Sequence, residues 1–407
     1  MKEVNSYIKE NWHKTFRKGG NVGKGTIPLP YDFCVPSLDD RFIDLFYWDT
    51  YFINLGLMQD GYIELAKNNL KNMAFFINKI GYMPNASHLL YHSQPPLFTR
   101  GVFDFYEQTG DLDFLKQTLP SILKEYDFFM NERQTEKGLC QYGCSVKEED
   151  LENFYPHFSK RLNLNYERKE ERNRFVKNCF AICESGWDSS YRFATELNDF
   201  ASDEYIQIDL NCLLFDMEDK IEKFALILGD TPLSERFKGL KEKRRALVDK
   251  YLYDSRTGVY TDYNFKKGRF SPMVSAVGFY PFAVGINKDK ERAKNLLNKL
   301  ELEFGVSACA EHEKAGFLQW DYPIFWASNA YFAYQALTKV GLKEDAERVA
   351  KKYIATVDRN FIETGTLWEK YNAKTGGTGA TKESKVTPML GWTAGVYKYF
   401  CAKLNIE

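Results

Sequence analysis

The stretch 62-YIELAKNNLKNMAFFINKI-80 sets Leu65, Leu70, Met73, Phe76, Ile77 and Ile80 near one face of a 3.6-residue period, with lysine and asparagine elsewhere. That spacing predicts an amphipathic helix. The same periodicity recurs downstream. Asp111 is placed to cap a segment in which Phe114, Leu115, Leu119, Ile122, Leu123 and Tyr126 return at three- and four-residue steps. Similar patterns run through Leu210 to Leu228, Leu233 to Leu252, Asp289 to Leu302, Tyr322 to Val340, Lys343 to Val357 and Pro388 to Leu404. Period-two alternation is confined to a few short runs, so the chain reads as nearly all-α.

The connections fall into two kinds. Gly110-Asp111 and Gly341-Leu342-Lys343 are short and polar. Thr26 to Tyr51, Gly81 to Pro96, Ser185 to Arg192, Ala315 to Trp326 and Thr364 to Trp392 are long and rich in Gly, Pro, Asn and Trp. Long structureless loops in a compact domain carry function more often than not. Alternating short and long links between antiparallel helices put every long loop at one end of a helical bundle or toroid. The charge-rich run Tyr166 to Arg174 reads as a solvated face, and Gly376-Gly377-Thr378-Gly379 as a flexible flap. No low-complexity linker divides the 407 residues, which predicts one catalytic domain over 1–407, with 1–25 as a helical or partly ordered extension.

With 55 basic and 56 acidic side chains the formal charge is −1, which leaves no field to hold a phosphate backbone or an anionic membrane surface. No window approaches the apolar length of a transmembrane helix, and the first twenty residues lack the apolar core of a secretory signal. The eight cysteines then read as reduced thiols, and the expectation is a cytoplasmic protein. Cys140/Cys144 and Cys179/Cys183 have a spacing seen in zinc pairs, but no histidine lies near either at a ligand spacing, so no metal is expected.

Six of the seven tryptophans fall in or beside the long loops: Trp48, Trp187, Trp320, Trp326, Trp368 and Trp392. Three precede aspartate, as Trp48-Asp49, Trp187-Asp188 and Trp320-Asp321. Indole rings stack on apolar sugar faces while their N–H groups find polar partners. The five histidines are scattered, and neither a G-x-S-x-G elbow, a G-x-G-x-x-G string nor a P-loop occurs. Acid and base work by carboxyl groups is the chemistry left.

With these loops set side by side, the sequence resembles the trehalase family of glycoside hydrolases and its clan. Asp40-Arg41-Phe42-Ile43-Asp44-Leu45-Phe46-Tyr47-Trp48-Asp49-Thr50-Tyr51-Phe52 is similar to the first signature, R-F-x-E-x-Y-x-W-D-x-Y-F. Met83-Pro84-Asn85 and Ser93-Gln94-Pro95-Pro96 resemble P-N-G and R-S-Q-P-P. Glu184 to Ser190 contains S-G-W-D, followed by Ile208-Asp209-Leu210-Asn211. Gln319 to Pro323 with Trp326-Ala327 looks like Q-W-D-x-P-x-G-W-A; Glu369-Lys370-Tyr371 and Gly391 to Val396 resemble E-K-Y and G-W-T-N-G-V. These strings in the family's order, from about Pro36 to Val396, make the resemblance specific.

The resemblance implies an (α/α)6 toroid and an inverting, exo-acting α-glycoside hydrolase of small glucosides or oligosaccharides, needing no cofactor. It implies Asp188 as general acid and Glu369 as general base. Such a pair needs one protonated carboxyl and one ionised carboxylate about 6.5–9.5 Å apart, with a water between them and the sugar. It places Arg41, Trp48, Asp49, Asn85, Gln94, Trp320, Glu383 and Trp392 around the sugar, with Gly186 allowing close approach. The family's arginine before S-Q-P-P is His92 here, the glycine before W-A is Phe325, and no equivalent of its R-P-E string is found between Cys144 and Cys183. These departures leave open an anionic aglycone, as in glucosylglycerate and mannosylglycerate hydrolases, with His92 or Lys385 as its partner. A non-catalytic sugar-binding relative and another toroid enzyme, such as a lyase or epimerase, are further alternatives. A monomer or weak homodimer with neither nucleic-acid nor membrane partner is expected.

Overall fold

The computed structural model describes residues 2–21, 23, 25–38, 42–193 and 200–406. Among them the helices run α1 (Lys2–Asn11), α2 (Tyr47–Gln59), α3 (Ile63–Ile80), α4 (Phe98–Thr109) and α5 (Leu112–Glu132). Next come α6 (Tyr155–Leu162), α7 (Lys169–Glu184), α8 (Ile208–Leu228) and α9 (Thr231–Leu252). The chain closes with α10 (Tyr280–Val284), α11 (Lys290–Leu300), α12 (Ala327–Lys339), α13 (Lys343–Thr364) and α14 (Gly391–Leu404). Strands are two or three residues long; Ile324–Trp326 pairs antiparallel with Lys370–Asn372.

Periodicity located the helices whose one face meets solvent. Asp111 caps α5 by accepting the Phe114 N–H, and Asp289 caps α11 by accepting from Glu291 and Arg292. The segment from Tyr322 is shorter as a helix than its pattern suggests, because Ile324–Trp326 is a strand before α12. α2 lay hidden in a predicted loop. Every residue from Tyr47 to Met58 is buried, so no polar face marks the turn of the helix.

The buried helices form a ring in which α2 touches α4, α4 touches α8, α8 touches α10, α10 touches α12, α12 touches α14 and α14 returns to α2. α3, α5, α9, α11 and α13 pack outside it, and α1 buries Val4 and Ile8 beside them. This is the expected (α/α)6 toroid. Links leaving an inner helix are short (60–62, 110–111, 229–230, 285–289, 340–342), whereas links entering one are long. The long loops therefore gather where the inner helices begin. Ring closure is tight: a Cβ on Gly395 would stand 1.9 Å from the Phe52 carbonyl oxygen, and one on Gly56 2.8 Å from the Gly395 Cα.

α6 and α7 are inserted between α5 and α8. They have an apolar core of their own, built on Leu151, Phe158, Phe175, Val176, Cys179, Phe180, Ile182, Phe193 and Phe200. Among the described residues no helix is long and apolar enough to cross a membrane, and no group of three or more His, Cys, Asp or Glu could hold a metal ion.

Candidate active site

Inner helices aim their N-termini at the gathered loops. Trp48 and Asp49 occupy the first turn of α2, Trp326 immediately precedes α12, and Trp392 lies in the first turn of α14. Trp48 and Trp392 therefore belong to helices rather than to loops. Their rings meet those of Trp187, Trp320 and Trp326. Trp320 stacks on Trp326 with centroids 4.0 Å apart at 4°, lies 4.9 Å from Trp187 and 5.7 Å from Trp48, and Trp48 meets Trp392 edge-on at 6.0 Å. Five indoles thus form one wall.

The turn after α7 delivers Asp188 beside that wall. Gly186 takes φ +70°, and a Cβ there would come within 3.0 Å of the Trp48 ring, so the glycine makes room for tryptophan rather than for sugar. Ser189 is also left-handed at φ +60°, uncommon for a residue with a side chain. The turn is anchored on both sides. Glu184, fully buried, accepts from Arg133 (2.8 and 3.0 Å), the Ser93 N–H (2.9 Å) and the Gly143 N–H (2.6 Å). Beyond it Arg192 is clamped between Asp209 and Asp262, with its guanidinium 4.7 Å from the Trp187 ring centre. Such buried ion pairs fix position more surely than they add stability.

Glu369 comes from a different element, just before the strand Lys370–Asn372. Trp392 Nε1 donates to its main-chain oxygen at 3.1 Å. The Lys370 ammonium, fully buried, donates to Glu369 Oε2 (3.0 Å), Gln319 Oε1 (2.9 Å) and Ser384 Oγ (3.0 Å), and lies 4.7 Å from the Trp326 ring centre. The glycine run 376–379 that follows is pinned: Asn360 donates to the Gly376 oxygen, and a Cβ on Gly376 would strike Phe304 at 2.6 Å. It is a packed turn rather than a flap.

Charge at the site is shared among carboxyl groups. Asp49 is pushed up to about 7 by burial, with further contributions from Glu369 and Asp188. Asp188 is also raised, by burial above all, while Arg161, a hydrogen bond from the Cys183 thiol and Lys370 pull the other way. Its side chain is 38% exposed and lines a narrow recess of ≈ 20 Å³ with Phe158, Arg161, Leu162, Cys179, Ile182 and Cys183. Glu383 is raised by burial; it accepts from the Gln319 N–H at 3.2 Å. Arg161 stands between two of these groups, 4.0 Å from Asp188 and 3.6 Å from Glu383.

Trp48, Asp49, Gly186, Asp188, Trp320, Glu369, Glu383 and Trp392 all lie at the loop end of the toroid. Gln94 is spent on the protein itself, accepting the Trp48 N–H at 3.1 Å. Asn85 pairs with the His92 ring at 3.0 Å. His92 is 4% exposed and burial drives it down to about 4, so it is neutral and cannot serve as a carboxylate partner. Arg41 lies outside the described residues. Arg161 escaped the sequence reading, although a signal exists. It shares the face of Phe158 and Leu162, at i+3 and i+4, and a charge on an apolar stripe is out of place unless something meets it.

The family model described as Trehalase matches residues 1–405. The periplasmic trehalase of Shigella flexneri is 29% identical over 414 residues, covering 97% of this chain and 73% of its own length. That of Escherichia coli strain UTI89 matches with the same identity and coverage. The neutral trehalase of Saccharomyces cerevisiae superposes with a TM-score of 0.77 at 24% identity, over 98% of this chain and 79% of that one. A mannosylglycerate hydrolase of Thermus thermophilus superposes at 0.69 with 17% identity, over 97% and 99%. The bacterial relatives' names correct the expectation of a cytoplasmic protein, which rested on the makeup of the first twenty residues and on cysteine usage.

Proposed function

The chain belongs to the trehalase family, and from that premise we propose that it hydrolyses a trehalose-like α-glucoside with inversion, Asp188 protonating the leaving oxygen and Glu369 taking a proton from the attacking water. Burial favours the protonated form of Asp188, which is what a proton donor needs. At Glu369 the Lys370 ammonium donates to the carboxyl group at 3.0 Å and fixes its orientation. The observation that supports the reading is geometric: Trp187, which precedes Asp188, and Trp392, which donates to the Glu369 main-chain oxygen, both meet Trp320, so one indole cluster joins two carboxyl residues 181 positions apart in sequence. Pyranose faces would stack on the indole wall, with Asp49, whose carboxyl burial pushes up to about 7, serving hydroxyl groups as donor or acceptor.

A neutral aglycone suits the charges better than an anionic one. Arg161 and Lys370 both face carboxylates, and Lys385 is exposed to solvent. Neither paired cation is available to a glycerate carboxylate without leaving an acid unmatched. Stereochemistry tests the mechanism. Proton NMR of freshly cleaved trehalose is expected to show one α- and one β-glucose; two α-glucose molecules would overturn inversion. Asp188→Asn and Glu369→Gln are expected to lower turnover on trehalose about 10²–10⁴-fold each while the fold persists.

A further inference from the structure

The α6–α7 insertion is the part of the molecule whose apolar core stands apart from that of the toroid, yet it ends at the site. Arg161 lies in its first helix and Cys183 in the last turn of its second, and both line the same recess as Asp188. We infer that Cys183 and Arg161 are positioning residues that together orient the Asp188 carboxyl and set the upper pH limit of turnover. The inference rests on Asp188 being the acid.

The geometry gives each a distinct part. Cys183 sits at the end of the helix that leads directly into the Asp188 turn and lines the same recess, which places its thiol to donate to the carboxylate. It is a neutral donor, since burial pushes the thiol well above its ordinary range. The Arg161 guanidinium approaches from the side at 4.0 Å, beyond a direct hydrogen bond, and divides its charge with Glu383 at 3.6 Å. Its pull on Asp188 is therefore mainly Coulombic.

The other groups bearing on Asp188 come from three further elements. Lys370, on the strand after Glu369, favours the ionised acid, while Asp49 from α2 and Glu383 from the loop before α14 oppose it. Cys179, one turn before Cys183, is a buried neutral thiol. An acid catalyst works only while it keeps its proton, so the alkaline limb of the rate profile follows Asp188. Burial raises that limb; the thiol and the guanidinium hold it down.

The test compares pH profiles of kcat/KM on trehalose for the full chain and four variants. Cys183→Ala is expected to move the alkaline limb up by about half a pH unit, and Cys183→Ser, which restores a donor, to return it. Arg161→Gln is expected to move it up by about one unit. In both displaced variants kcat should fall more than KM changes, as orientation is lost at the reacting bond. A limb unmoved in Cys183→Ala and Arg161→Gln overturns the inference. Should Arg161→Gln not fold, the Cys183 pair alone decides. Asp188→Asn, measured alongside, separates two failures: if inactive while the limbs stay put, only this inference falls; if active, the assignment of the acid falls.

Discussion

Asp49 poses the sharpest question of chemistry, because a carboxyl raised to about 7 could itself hold the catalytic proton. Leaving-group dependence separates it from Asp188. Fluoride leaves α-glucosyl fluoride without protonation, so this substrate is expected to restore turnover to Asp188→Asn but not to Glu369→Gln, which on the proposed roles would still lack a base for its water. Asp49→Asn keeps a hydrogen-bond donor and is expected to lose about tenfold on trehalose, with no selective gain from the fluoride. Fluoride rescue confined to Asp49→Asn would move the acid role there. Asp188, Glu369 and the tryptophans were legible because short strings mark them in order. His92 was misread because composition does not show burial, and a histidine with 4% exposure is a neutral partner for Asn85, not a cation. Arg161 was missed because its role depends on where an insertion folds back.

Periodicity announced the outer helices and also α8, α12 and α14 of the inner ring, but not α2. α3, α5, α9, α11 and α13 were visible by amphipathic period, whereas α2, buried on every side, read as loop. Two tests belong to that ring. Gly395→Ala forces a methyl into the Phe52 carbonyl and must drive α14 from α2, at a cost of about 3 kcal/mol or more in urea denaturation. The second concerns α5, where Glu125 accepts from the α2 residue Tyr47 at 2.7 Å and is pushed up by burial to about 8, against an ordinary 4.5. The folded state then keeps a proton that the unfolded chain releases, so this group's contribution to stability falls as pH rises from about 4.5 to 8. Glu125→Gln removes that slope. Its Tm relative to the parent is expected to climb between pH 5 and pH 8, and a constant difference would contradict the protonated glutamic acid.

The toroid as a unit was legible less from any one segment than from the rhythm of its links, short after an inner helix and long before one. That rhythm also assembles the site, since every long loop arrives at the same end. Two apolar cores predict two levels of protection. Amides of 155–184 are expected to exchange with deuterium sooner than those of α2, α8, α12 and α14, and equal protection would mean that the insertion opens only with the ring. The indole wall has an optical consequence. Five of the seven tryptophans share one contact network, leaving Trp12 and Trp368 outside it. Excited indoles this close exchange energy, so the five respond as a group to whatever enters the catalytic end. A saccharide settling there will dim or shift their emission, and its affinity can be titrated without a label, even in a variant that no longer turns over.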